Sequence, residues 1–263
     1  MKQVRRLKQK WSIALKILPL ILFVTALKFG THRLGLEVME LNALFSSLVA
    51  GTIFLIGFLI SGVLSDYKES EKLPSELAAS LRNLYDDTIT ILKGKNSAAA
   101  KEFIVFQRDF TGSLKDWFYR KAKMKILLGK LSSMNNFFIA MEIEGIQANY
   151  IIKMKNEQNS IRRILMRIDT IRDTEFVGSA YAIVEAMGFL TVFGLLIIKI
   201  EPYYASLFLT LLITFLISYM FLLIKDLDNP FDYASKGEAG TEIPLKPIHD
   251  FEYFVNEPFQ QAL

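Results

Sequence analysis

The stretch Leu41–Leu64, LNALFSSLVAGTIFLIGFLISGVL, runs 24 residues without a charge. As a helix rising 1.5 Å per residue it is long enough to cross a hydrocarbon core about 30 Å thick. Read at helical spacing, Ser47, Ala50, Phe54, Phe58, Ser61 and Ser65 fall on one stripe. A helix that meets only lipid has no use for serines at both ends of a stripe with rings between them. A helix beside a narrow aqueous path uses both, as water-tolerant flanks around an apolar constriction that dewets. From periodicity alone, packing against lipid or a neighbouring helix is the commoner role for two such rings.

Working outward, three more apolar stretches appear. Tyr203–Ile224 is uncharged over 22 residues, and Phe176–Ile198 contains one acid, Glu185. Trp11–Phe29 is bracketed by Lys16 and Lys28, whose long stems are expected to carry their ammonium groups to the interface. The basic start and apolar middle of this first stretch suit a secretory signal. The bulky, charged run Lys28-Phe29-Gly30-Thr31-His32-Arg33 offers no small-residue cleavage site, so the stretch is expected to stay as a span. Over half the residues are hydrophobic and the mean hydropathy is +0.30. These features predict an all-α integral membrane protein with four spans, at about 11–29, 41–64, 176–198 and 203–224.

The distribution of cations sets an expected orientation. Lys2, Arg5, Arg6, Lys8 and Lys10 precede the first span without an acid. The first loop sets Lys28 and Arg33 against Glu37 and Glu40, and the link Lys199–Pro202 is very short. A cytoplasmic N-terminus followed by four crossings places the middle segment and the C-terminus in the cytoplasm as well. The absence of cysteine fits a reducing compartment. The net charge of +4 suits anionic headgroups and requires no nucleic-acid partner. The expected parts are 1–64 (N-terminus and two spans), 65–175 (cytoplasmic helical insert), 176–225 (two spans) and 226–263 (extended tail).

Within the insert, Pro74-Ser75-Glu76 opens a helix carrying Leu77, Leu81, Leu84 and Ile89. Gly94-Lys95-Asn96-Ser97 ends it, and Asn96 or Ser97 caps the next, which presents Phe103, Phe106 and Phe110. Thr111-Gly112-Ser113 is read as another break, followed by a basic helix from Leu114 to about Leu131. Asn135–Ile171 is read as one long helix of about 50 Å. The tail from Pro230 lacks a helical period and is expected to run extended, with Phe231, Phe251, Tyr253 and Phe254 as anchors on a neighbouring subunit.

Two short stretches resemble a known family, the bestrophins. Phe54-Leu55-Ile56-Gly57-Phe58, followed by Glu71-Lys72-Leu73-Pro74, resembles the bestrophin second helix and the turn after it. Asp226-Leu227-Asp228-Asn229-Pro230-Phe231 resembles the Asn-Pro-Phe stretch that opens the bestrophin tail, and Glu242-Ile243-Pro244-Leu245 continues it. The order of parts also matches, over nearly the whole chain. The resemblance implies a homo-oligomer, a pentamer around one pore, with the neck at Ala50, Phe54 and Phe58. It also implies passage of small inorganic ions, anions such as chloride above others, across a bacterial inner membrane. The sequence departs from the family in two places. Ser65-Asp66-Tyr67-Lys68 replaces the Arg-Trp-rich stretch after the second helix, which leaves anion preference open. The dense acidic calcium clasp of the animal members is reduced to scattered Glu238, Glu242 and Asp250, so calcium gating does not carry over.

Other residues carry weaker signals. Gly51, Gly57 and Gly62 are expected to let helices approach closely. Glu185 should face protein or water, be protonated, or lie near the interface. Asp226, Asp228 and Asp232 lack calcium-loop spacing, so no metal site is expected, and Asp226 and Asp228 are read as partners of cations. His32 and His249 are isolated, Glu142-Ile143-Glu144 has no partner base, and there is no cysteine nucleophile, HExxH or phosphate loop. No cofactor and no enzyme activity are expected. A channel therefore leads, and a membrane signalling module that relays through its long cytoplasmic helices is the alternative.

Overall fold

The structure, a computed structural model, describes residues 11–173, 178–233 and 242–257. The chain forms helices α1 (Ser12–Arg33), α2 (Ala43–Ser70), α3 (Leu73–Lys95), α4 (Ala98–Phe118), α5 (Met124–Ile143), α6 (Ala148–Asp173), α7 (Gly178–Ile197), α8 (Tyr203–Leu227) and α9 (Lys246–Asn256). Two-residue strands β1 (Met39–Glu40) and β2 (Ile198–Lys199) pair in parallel. Four helices are long and apolar enough to cross a membrane, and they correspond to α1, α2, α7 and α8. The basic residues Lys2 to Lys10, Phe176 at the start of the third span, and Glu238 lie outside the described residues.

The chain divides into two compact units, residues 1–67 with 175–228, and residues 68–174 with 229–263. In the first unit α2 turns Ile56, Leu59 and Val63 toward Val184 of α7 and Ile217 and Ile224 of α8. Phe45 joins Leu195 and Ile198 in a second cluster. Asn42 caps α2, its side-chain oxygen accepting from Phe45 N at 2.9 Å. Thr52 and Thr191 hydroxyls meet at 3.0 Å, so a polar contact between α2 and α7 is closed inside the apolar bundle.

Of the glycines expected to permit close approach in the second span, Gly51 and Gly57 do not make one. A Cβ on Gly57 would meet nothing within 4 Å, and one on Gly51 only Met187 at 4.0 Å. On α7, by contrast, a Cβ at Gly194 would sit 2.2 Å from the Phe45 ring, and one at Gly188 3.2 Å from Ile217. The third span holds the contact glycines because it packs between neighbours, whereas the Gly57 side of α2 is bare.

The second unit is built from α3–α6 and α9. α3 opens at Leu73-Pro74 as expected, and Asn96, at φ 50°, closes it. Ser97 then caps α4 by accepting from Ala100 N at 3.0 Å. Two expected boundaries are corrected. α4 passes unbroken through Thr111-Gly112-Ser113, where the Thr111 and Ser113 hydroxyls turn back onto the carbonyls of Gln107 and Asp109 (2.7 and 3.0 Å) and do not divert the backbone into a turn. Phe110 and Leu114 also continue the buried face. The true break follows Phe118, where Arg120 adopts φ 57°.

The expected helix Asn135–Ile171 is two helices. Gly145 at φ 79° ends α5, and Ile146 N reaches back to Met141 O at 3.0 Å, a Schellman closure. α9 overturns the expected extended tail. Pro247 sits in its first turn, and Ile248, Phe251 and Val255 make a buried face against α3 and α4. Phe231 and Phe251 are therefore buried in their own chain, Phe254 lies under the Arg82 guanidinium at 3.3 Å, and Tyr253 points to solvent.

Candidate functional site

The stripe on α2 is the first candidate. Each four-residue step rises about 6 Å and turns slightly past a full circle, so Ala50, Phe54 and Phe58 form one nearly straight row. Ser47, Ala50, Phe54, Phe58, Ser61 and Ser65 are all exposed in the protomer, Phe54 by 73% and Phe58 by 70%. The opposite face of the same helix, through Phe45, Thr52, Ile56, Leu59 and Val63, is buried. Ser47 already donates to Ala43 O at 2.8 Å, which leaves its lone pairs for other partners. Hydrophobicity does not explain the asymmetry, since both faces carry large apolar groups. One face is used by the protomer's own helices and the other is left over.

Glu185 lies elsewhere. It is exposed on α7 and lines a cavity together with residues of α1 and α8, none of them from α2. The tail motif is structural in its contacts. Asp228 accepts a hydrogen bond from the Tyr181 hydroxyl at 2.9 Å. Asn229 is exposed, while Pro230 and Phe231 are buried. The Pro230 carbonyl accepts from Ile243 N at 3.0 Å, and Tyr233 donates to Ile243 O at 2.7 Å. The motif thus fixes where the returning chain is held. Among the described residues no group of three or more His, Asp or Glu is arranged to hold a metal ion.

Sequence reasoning missed a charged cluster at the far end of α1. Lys28, expected to extend to the interface, is fully buried at 0% exposure. α1 continues to Arg33, and the end of α7 lies against it, so the ammonium has nowhere to extend. Lys28 donates to Leu196 O at 3.4 Å, in the last turn of α7, and to Ile198 O at 2.8 Å, in β2 just past it. Its Nζ also lies 2.7 Å from Glu37 Oε1, an ion contact poorly aligned for a directional hydrogen bond. Glu37 Oε2 is 2.8 Å from His32 Nδ1, and the His32 ring stacks on Tyr203 at 4.1 Å. Thr31 adds a bond to Leu196 O at 3.0 Å. Burial pushes the Glu37 carboxyl up, but the close contacts of His32 and Lys28 and their charges outweigh it and hold it below the ordinary range. The available signal was the spacing of Lys28, Thr31 and His32 on one side of α1.

In the second unit, Arg167 grips Glu69 in a two-pronged pair at 3.0 and 2.9 Å. These bonds hold the Glu69 carboxyl below its usual range. Asp169 is raised chiefly by burial, with the Asp173 charge adding to it. Among the described residues no metal-ligating set includes these groups, and the Glu69–Arg167 pair reads as a tie between helices.

No protein-family model and no curated protein sequence matches this chain. Solved structures do. A bacterial bestrophin homologue from Klebsiella pneumoniae, in a point-mutant form, superposes with a TM-score of 0.74 at 18% identity, covering 91% of this chain and 98% of that one. A further structure of that homologue, phased on zinc, gives 0.74 at 17% identity over 91% and 97%. A structure described only as a membrane protein gives 0.77 at 17% over 91% and 97%. The chain therefore has the fold of bacterial bestrophin homologues, nearly end to end.

Proposed function

We propose that this chain forms a bestrophin-like ion channel, a ring of identical subunits that passes small monovalent ions through a central pore lined by α2. The observation that carries the reading is the bare stripe on α2. Six residues in register are exposed on a span whose other face is packed, within a fold shared with bestrophin homologues. In a ring the Phe54 and Phe58 side chains converge as two stacked apolar collars, with Ala50 on the side of Ser47. An apolar throat cannot replace an ion's hydration shell, and water itself tends to leave it, so the collars form the gate. Ser61 and Ser65 on one side and Ser47 on the other provide wetted approaches. The bestrophin resemblance supports a ring of five, chloride and similar anions as the permeant class, and a bacterial inner membrane. The cation distribution supports a cytoplasmic insert and cytoplasmic termini.

The test is ion flux in proteoliposomes together with the native mass of the same preparation. Replacing both phenylalanines with alanine removes the collars and raises flux, and Phe54→Ala alone raises it in part. If the rings only meet lipid, neither change increases flux. An intact oligomer whose double variant conducts no better than the parent removes Phe54 and Phe58 from the pore.

A further inference from the structure

Glu185 takes no part in the stripe, and its surroundings on α7 do not call for a carboxylate. A cavity of about 270 Å³ lies among α1, α7 and α8 in the span unit. Its walls are largely apolar, with Leu20, Phe189, Val192 and Phe221 among them, and Glu185 stands in the lining. Thr214 also lines it, and the buried Thr214 hydroxyl has no hydrogen-bond partner among the described residues. Glu185 likewise makes no ion pair or hydrogen bond among them. It sits seven residues beyond Gly178, about 10 Å along the axis of α7, where an ionised carboxylate facing hydrocarbon is unfavourable without a counter-charge.

We propose that this cavity is a binding site for a lipophilic primary amine, with its ammonium on Glu185 and its hydrocarbon chain against Phe189, Val192 and Phe221. Charge complementarity excludes anions. A divalent ion needs six or more oxygens for calcium, or a hydrated octahedral shell for magnesium, and one carboxylate with two hydroxyls in apolar walls provides neither. An aminophospholipid, with two long acyl chains and a phosphate, is too large for this volume. A single-chain amine dissolved in the bilayer carries no such bulk. The volume, just under the roughly 300 Å³ at the small end of ligand pockets, fits one short chain. The site shares no residue with the α2 stripe and does not rest on the channel reading.

The probe is radiolabelled octylamine, bound at equilibrium to the full-length protein in an uncharged maltoside detergent. Saturable binding is expected that unlabelled octylamine displaces and octanol does not. Glu185→Gln lowers the affinity at least about tenfold, because the counter-charge is gone. Val192→Phe, which fills the cavity and keeps the carboxylate, lowers it as well while the protein elutes at the parent's size. Equal competition by octanol, or undiminished binding to Glu185→Gln, overturns the proposal. So does a parent without saturable binding; if its Glu185→Gln form also dissociates into smaller species, Glu185 pairs instead with a cation of a neighbouring copy. Binding is read without flux, so this result and the pore experiment fail separately.

Discussion

Lys28→Met is the sharpest probe of how the span unit is held together. Methionine keeps the length of the lysine stem, so little cavity opens, and only the ammonium is removed. Three contacts go with it: the bonds to Ile198 O and Leu196 O, and the ion contact with Glu37. Glu37 is only 9% exposed, so it becomes a buried carboxylate that has lost its buried counter-charge. Breaking such a pair from one side typically costs about 3–5 kcal/mol. Glu37 keeps His32 and Leu196 O keeps Thr31, which places the expected loss near the lower figure, about 3 kcal/mol. Adding Glu37→Gln removes the orphaned charge, so the double variant should recover about 1–2 kcal/mol of that loss. The measurement is equilibrium unfolding in mixed micelles, run as a double-mutant cycle. A single variant within about 0.5 kcal/mol of the parent, or a double variant whose loss is the sum of the two singles, would refute the buried-pair account.

Further outcomes follow from the same contacts. Because the Glu37 carboxyl lies below its ordinary value of 4.5, its contribution to stability is fully present above that pH and is lost as pH falls through the lowered value. Unfolding midpoints followed down through this acid range should fall less steeply in Glu37→Gln than in the parent. Gly194→Ala forces a methyl into the Phe45 ring and should destabilise the protein by about 1–3 kcal/mol, with Phe45→Leu in the same chain restoring part; a neutral Gly194→Ala would show that the two spans are not in contact there. The chain has no cysteine, so a single Asn159→Cys on the exposed side of α6 reports orientation cleanly. Impermeant maleimide should label it only when the cytoplasmic side is open, and labelling of intact cells would invert the proposed topology.

The sequence by itself determined the spans and which residues share the stripe. Both follow from local physics: a long apolar run, uncharged in Leu41–Leu64 and Tyr203–Ile224 and carrying one or two charges in the other two, has few fates other than a bilayer, and helical period assigns Ser47, Ala50, Phe54, Phe58, Ser61 and Ser65 to one side whatever packs on the other. Pro74 and Ser97 were legible for the same reason, since a proline in a first turn and a serine cap act within one turn of helix. What only the tertiary structure decided depends on neighbours distant in sequence. Thr111-Gly112-Ser113 reads as a break until Phe110 and Leu114 are seen buried on either side of it. α9 is too short to hold its own period and exists because α3 and α4 receive Ile248, Phe251 and Val255. Gly194 makes contact and Gly57 does not, although both are glycines in spans, because only one of them faces another helix. Lys28 is the clearest case. A lysine near the end of an apolar run ordinarily reaches for water, and here the carbonyls of Leu196 and Ile198, with Glu37 beside them, supply indoors what the interface would have supplied outside.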